Sequence, residues 1–263
     1  MDLGISGRKA LVCAASKGLG KASALALAAE GVDLFLCARD EGSLAAVKDE
    51  IVNSFGVAVK YCEADLTIKS DRETLIHDVQ KEFGKIDILV HNIGGPPPST
   101  VTSTKNEEWM KGFDRLFMSI VELNEAFVPA MRQQKWGRIV TITSITVLEP
   151  IDNLAISNSF RSATTAMLKT LSSELAAENV TVNCVAPGNI ASDRHEQLIV
   201  DRVKNSGRPR QELEAEMLSS IPAGRFADPS EFGSVVAFLC SEKASYVTGS
   251  TLCVDGGKRK STY

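Results

Sequence analysis

Short runs of apolar, often β-branched residues alternate along this chain with longer segments whose apolar positions recur at helical spacing. The short runs fall at 9–14, 33–37, 58–62, 86–91, 138–143, 181–185 and 251–254. They lack the apolar–polar alternation of half-exposed strands, so each predicts a strand buried on both faces. The amphipathic segments predict helices near 18–30, 41–55, 70–83, 105–134, 153–178 and 229–240. Thr104-x-x-Glu107 and Ser70-x-x-Glu73 have the form of capping boxes. Asp228-Pro229-x-Glu231 sets an N-cap before a first-turn proline and an acid. Asp40 is placed to cap the helix near 41–55, and Asp152 or Asn153 the helix beginning near 153.

Strand–helix–strand repeats require crossovers, and therefore a parallel sheet with helices on both faces. The expected class is α/β, one doubly wound parallel sheet of about seven strands in a single domain over 1–263. The segment 189–225 breaks the alternation: it is polar, carries both charges and predicts two short helices. It follows the sixth strand, outside the carboxyl ends of the strands, where open α/β sheets bind ligands. It therefore reads as a substrate-covering insertion.

Composition narrows the function classes. The chain is 44% hydrophobic and 24% charged with a formal net charge of −4, which leaves no basic footprint for a nucleic acid. Its longest basic run, Lys258-Arg259-Lys260, reads as a solvated tail. The apolar stretch 10–15 is too short for a signal-peptide core or a membrane span. Cys13, Cys37, Cys62, Cys184, Cys240 and Cys253 form no C-x-x-C pair and lie mostly in strand-like runs. They predict free thiols in a reducing compartment, the cytoplasm. No metal site is expected.

The first strand runs into Ala14-Ala15-Ser16-Lys17-Gly18-Leu19-Gly20 and then into a helix. Such a turn presents backbone N–H groups and the positive end of a helix dipole to a pyrophosphate. This loop resembles the T-G-x-x-x-G-x-G loop of the short-chain dehydrogenase/reductases, with Cys13 and Ala14 at the threonine and first-glycine positions. Further segments follow in the family's order. Asp65-Leu66 resembles its adenine-side aspartate, His91-Asn92-Ile93-Gly94 its N-N-A-G segment, and Pro187-Gly188-Asn189-Ile190 its P-G-x-I turn near the nicotinamide. Tyr246-Val247-Thr248-Gly249 and Val254-Asp255-Gly256-Gly257 resemble its C-terminal signature. The resemblance implies a Rossmann-type fold. It also implies a dinucleotide held by Ala14, Ser16, Lys17, Gly18, Leu19, Gly20, Asp65, Leu66, Asn92, Gly94, Pro187, Gly188 and Ile190.

An NAD-preferring site carries an acid at the tip of the second strand for the ribose 2′-OH. Here that position is Ala38, followed by Arg39, and the resemblance sets Lys17 on the same side. Two cations suit a 2′-phosphate, so NADP(H) is expected over NAD(H).

The family's reductases use a tyrosine as proton donor and a serine to orient the carbonyl. A lysine four residues after the tyrosine lowers its pKa and holds the nicotinamide ribose, and an asparagine from an earlier helix completes a relay. Ser144 matches the serine; Ser157 stands at the tyrosine position, Arg161 at the lysine and Leu116 near the asparagine. The tyrosines are Tyr61, Tyr246 and Tyr263, none of them in this stretch. A phenol titrates near 10 and can be tuned by a cation, whereas an aliphatic alcohol is a far weaker acid. Arg161 keeps a charge for the ribose hydroxyls but cannot share a proton. His91, Asp193 and His195 are the substitute acids to test. Gly94-Gly95-Pro96-Pro97-Pro98 forms a stiff loop that, by the resemblance, borders the substrate cleft.

Two main readings follow, with a small-molecule substrate and no membrane or nucleic-acid partner in either. The first is an NADP(H)-dependent oxidoreductase, most similar to 3-oxoacyl-thioester reductases, acting on a carbonyl or an alcohol. In it Arg194, Arg202, Lys204, Arg208 and Arg210 meet an acidic carrier or phosphate-bearing acyl group, with Glu212, Glu214 and Glu216 opposing. The second is an NADP(H)-binding sensor or partner subunit without redox turnover. Non-redox chemistry in the same cleft is a third. The resemblance implies a homodimer or homotetramer paired through the helices near 105–134 and 153–178.

Overall fold

The computed structural model describes residues 1–262, the side chains of Arg194 and Asn205 excepted; Tyr263 lies outside the described residues. In chain order the elements are β1 (Lys9–Cys13), α1 (Gly18–Ala29), β2 (Asp33–Ala38), α2 (Glu41–Phe55), β3 (Val59–Glu63), α3 (Lys69–Phe83) and β4 (Ile88–His91). Then come α4 (Asn106–Phe113), a π-helical turn (Asp114–Met118), α5 (Ser119–Gln134), β5 (Gly137–Ile142), α6 (Ala155–Leu175) and β6 (Val180–Pro187). The chain finishes with α7 (Asp193–Ser206), α8 (Arg210–Ser219), α9 (Pro229–Leu239) and β7 (Thr251–Val254). No helix of the described residues is long and apolar enough to cross a membrane.

The sheet is parallel throughout, in the order β3-β2-β1-β4-β5-β6-β7. Helices cover both faces. Leu27, Leu34, Val47, Phe232 and Val236 build the core under α1, α2 and α9. Leu11, Phe35, Leu75, Leu123, Ile139 and Leu168 build the opposite one under α3, α5 and α6. The strand order reverses between β1 and β4, so the loops after those strands part and leave a crevice at the carboxyl edge.

Several local expectations shift for physical reasons. β3 and β7 are only partly buried, because each is a sheet edge with one neighbour. The helix expected over 105–134 is broken by the π turn, a one-residue register change that sets Leu116 on the bulge. Its carbonyl accepts from Thr164 Oγ1 at 2.7 Å. The box expected at Thr104 does not form: the N-cap is Lys105, which has no side-chain acceptor, its N–H donates to Glu108 Oε2 at 2.8 Å, and Thr104 Oγ1 donates to the Thr100 carbonyl. Ser70 falls inside α3, whose N-cap is Ile68 with no side-chain bond, so that box does not form. Asn153 adopts a left-handed φ of 59° and Leu154 is the residue that precedes α6. The caps at Asp40 and Asp228 form as expected, accepting from the Ser43 and Ser230 N–H groups at 2.7 and 2.8 Å.

Candidate active site

The glycine loop is shaped by close backbone approach. A Cβ on Gly20 would lie 2.1 Å from the Ala14 carbonyl oxygen and 2.9 Å from Asn92 Nδ2, so only glycine brings α1 this near to β1 and β4. Gly18 has φ of 55° and nothing nearer its missing Cβ than Ser192, at 3.8 Å. Ala14 also takes a left-handed conformation, φ 49°, which costs an alanine about 1–2 kcal/mol and a glycine almost nothing. This is where the family pattern has glycine, so the substitution keeps the turn and strains it. α1 begins without a side-chain cap or a first-turn acid. Its first N–H groups therefore point at the crevice with no internal acceptor, the arrangement an anionic pyrophosphate needs.

The rim of this loop carries the predicted cations. Ala38 ends β2 buried and Arg39 is exposed beyond it. Asp40 spends its carboxylate on α2, so no acid is left at the strand tip for a ribose hydroxyl. Lys17 is exposed, its charge reaches Asp40, and its Nζ lies 3.8 Å from Asp193 Oδ2 at the start of α7. Asp193 is thus an exposed partner of Lys17 and not a buried acid. On the third strand's loop Asp65 Oδ1 accepts from the Thr67 N–H at 3.0 Å. The Leu66 carbonyl accepts from Arg72, a buried arginine also paired with Asp114 and Glu122. The helical pattern of α3 gave no reason to expect a buried arginine, and only the packing of α3 against α5 reveals it.

Ser144 and Ile93 each stand two residues beyond their strands, β5 and β4. Ser144 is half-buried, extended, and accepts from the Thr146 N–H at 3.2 Å, which leaves its own O–H to donate. Ser157 sits in the first turn of α6, 7% exposed, and its hydroxyl has no hydrogen-bond partner among the described residues. Arg161, one turn on, is turned inward. Its Nη1 donates to the Ile142 carbonyl at 3.1 Å and its Nη2 to the Ile93 carbonyl at 3.0 Å. Two of the five N–H groups of Arg161 are thus given to backbone, and its planar fork ties the ends of β4 and β5 together.

The remaining predicted pieces surround this pair. Pro187 closes β6; the Gly188 N–H donates to the Val254 carbonyl at 2.9 Å, and a Cβ there would lie 2.7 Å from Asp255 Cα. Ile190 is buried and bridges to Ala227. Gly94 is exposed with open space over it. The triple-proline loop is pinned to α6 by the Ser99 N–H on the Asn153 carbonyl at 2.9 Å and the Ala155 N–H on the Ser99 carbonyl at 3.1 Å. Gly112 lets α4 settle on α6, since a Cβ would lie 2.3 Å from Ile156 Cγ2, and this contact adjoins Ser157.

His91 does not serve as a surface acid. It is fully buried, its Nε2 lies 3.0 Å from Asn124 Oδ1, and burial pushes its pKa down to about 4, so it is neutral at pH 7. Its Nδ1 and Thr141 Oγ1 have no hydrogen-bond partner among the described residues. Both residues line a cavity of about 10 Å³ closed by Arg161, Leu116 and Thr164, room for about one water. His195 packs its ring on Phe226 at 4.2 Å between centroids, and burial lowers its pKa as well.

Comparison with known proteins agrees with this arrangement. Residues 13–259 match the family described as enoyl-(acyl carrier protein) reductase. The chain is 32% identical over 258 residues to the NADPH-dependent reductase BacG of Bacillus subtilis, covering 98% of this chain and 100% of that one. It is 32% identical over 255 residues to the 3-oxoacyl-[acyl-carrier-protein] reductase FabG of Escherichia coli, covering 97% and 98% of the two chains. The crystal structure of L-sorbose reductase from Gluconobacter frateurii, complexed with NADPH and L-sorbose, matches with a TM-score of 0.94 at 32% identity, over 99% of this chain and 100% of that one. With its glycine crevice, serine-tipped β5 and seven-stranded parallel sheet, the chain belongs to the short-chain dehydrogenase/reductase family.

Proposed function

We propose that this protein is an oxidoreductase that interconverts a carbonyl and an alcohol on a small molecule, with Ser144 orienting the reacting oxygen. The observation that carries the reading is the pairing of a ligand-shaped glycine crevice with a serine hydroxyl free to donate at the neighbouring strand end. The cofactor is NADP(H), which supplies or accepts the hydride. One similar protein is named as an NADPH-dependent reductase and another is complexed with NADPH, and this chain's own rim, with Lys17 and Arg39 exposed and Asp40 capping α2, suits a 2′-phosphate.

The residues present divide the work as follows. The N–H groups opening α1 hold the pyrophosphate. Pro187, Gly188 and Ile190 form the wall at the nicotinamide end. Ser144 donates to the carbonyl oxygen and stabilises the charge that develops there. Arg161 fixes Ile93 and the end of β5, and so sets where Ser144 stands. No phenol stands at Ser157, so the proton reaches the oxygen from water admitted to the cleft. α7 and α8 cover the substrate. We take the substrate to be of the 3-oxoacyl type without a carrier protein. Arg208 and Arg210 are spent on Glu212 and Glu216, and on Glu196 and Glu214, respectively.

A second reading, NADP(H) binding without redox turnover, is favoured by one observation: Ser157 is buried and Arg161 is turned inward. One experiment separates the two. Purified protein is mixed with NADPH and a panel of 3-oxoacyl thioesters, and the nicotinamide absorbance is followed. Turnover that disappears in Ser144→Ala is expected. Tight NADPH binding with no absorbance loss on any thioester, simple ketone or carboxylate- or phosphate-bearing carbonyl compound selects the second reading. Tighter binding of NADH than NADPH overturns the cofactor assignment.

A further inference from the structure

The basic run near the C-terminus is tied to the body of the protein by hydrogen bonds, with Lys258 and Arg259 partly buried and Lys260 exposed. Lys258 Nζ donates to Asn189 Oδ1 at 2.6 Å. The Arg259 N–H donates to the Asp255 carboxylate at 2.9 Å, and the Lys260 N–H to Glu149 Oε2 at 3.3 Å. Asn189 lies in the turn that leaves β6, and Glu149 lies shortly after Ser144. The tail therefore runs back across the carboxyl ends of β6 and β5, the edge on which the glycine loop and Ser144 also open. In an open α/β sheet that edge is where a ligand sits.

Lys258 is held there in an unusual setting. It is half-buried, and its ammonium is hydrogen-bonded to a neutral amide, with no carboxylate within ion-pair distance among the described residues. Burial pushes its pKa below the usual lysine range; Arg202 of α7 adds repulsion, and Asp255 opposes both. Its charge is felt in turn by His195 on the same helix. By contrast, Arg208 and Arg210 have glutamate partners and Arg225 has Glu231. Keeping a partly desolvated ammonium beside a second cation costs stability unless an anion joins it. Two positive groups from separate elements, Lys258 of the tail and Arg202 of α7, thus act on one another at this edge; among the described residues Asp255 partly offsets them, and no ion pair closes on Lys258.

We propose that Lys258, presented by Asn189, receives an anionic group of the substrate, a carboxylate or a phosphate. The molecule acted on is then a carbonyl compound that also carries a carboxylate or a phosphate, 3-oxoacyl compounds with such a group included. This deepens the carbonyl–alcohol reading above and rests on it for the word substrate, but the anion receptor is testable by binding alone.

The test uses protein saturated with NADP⁺ and calorimetric titration of matched pairs: acetoacetate against methyl acetoacetate, and dihydroxyacetone phosphate against dihydroxyacetone. A charge-assisted hydrogen bond of ordinary strength gives the charged member of a pair about ten-fold tighter binding or more. Preference in the first pair identifies a carboxylate, in the second a phosphate. Lys258→Met is expected to collapse the ratio to about two-fold or less, and Lys258→Arg to retain most of it. Loss of binding by charged and neutral members alike in Lys258→Met, or no preference in the wild type, overturns the receptor. If the preference is present and Lys258-dependent but NADPH is never oxidised by either pair, the receptor stands and the reductase reading falls. If neutral carbonyls are reduced and the charged members gain nothing, the reductase reading stands and the receptor falls.

Discussion

The two walls of the crevice have departed from the family pattern to different degrees. At the pyrophosphate wall the substitutions preserve shape. Ala14 adopts the φ of 49° that a glycine would, Gly18 and Gly20 keep the backbone close, and Lys17 and Arg39 stand at the rim. At the catalytic wall the substitutions change chemistry. Ser157 has no hydrogen-bond partner among the described residues, and Arg161 gives two donors to backbone carbonyls at or just past the strand ends. The difference teaches that a binding surface made of backbone tolerates replacements that keep its geometry, whereas a proton donor depends on one functional group with one pKa. Affinity for the dinucleotide can outlast the usual proton donor.

Four measurements break or sharpen that contrast. The largest effect is expected at position 157. Ser157→Tyr restores a phenol at the first turn of α6 and raises turnover by about 10²-fold or more. Unchanged steady-state turnover with normal NADPH affinity would show that proton supply is not what limits this wall. Next is Arg161→Met, which leaves the carbonyls of Ile93 and Ile142 without their donor. Urea unfolding should show a loss of about 2–4 kcal/mol, with NADPH affinity nearly intact.

His91 supplies the third. Its native pKa of about 4 is below the ordinary 6.5, so the unfolded chain binds the extra proton between those values. Stability from this group is complete above pH 6.5 and is lost as pH falls toward 4, about 3 kcal/mol in all. His91→Asn is expected to flatten that acid limb in unfolding curves taken across the same window. The smallest effect belongs to the pyrophosphate wall. Ala14→Gly relieves the left-handed strain and stabilises by about 1 kcal/mol, raising Tm by about 2–4 °C. A fall in Tm would show that the methyl contributes more to packing than its backbone costs.

Much of the fold could be read from apolar runs, because a strand buried on both faces needs apolar side chains throughout, wherever its neighbours come from. The same rule misjudged β3 and β7, since edge position depends on strand order and not on the residues of the strand. The helix over 105–134 looked continuous because its apolar period survives the π turn; the bulge at Leu116 is visible only in which carbonyl meets Thr164. Of the site, the glycine loop, Ser144 and the position of Ser157 were legible. The solvated tail holds for Lys260 but not for Lys258, because charge runs usually face water and nothing local to Lys258 signals a partner sixty-nine residues earlier.

By itself the sequence determined which functional groups exist: a glycine turn before a helix, a serine after the fifth strand, and no tyrosine near it. Those are statements about composition at positions, and folding cannot add a phenol to a chain that lacks one. Only the tertiary structure decided where the cations point. Arg161 and Lys258 are long, flexible side chains whose reach exceeds the spacing between strands. Their direction is set by which carbonyl or amide lies unpaired within reach, and those acceptors come from distant parts of the chain.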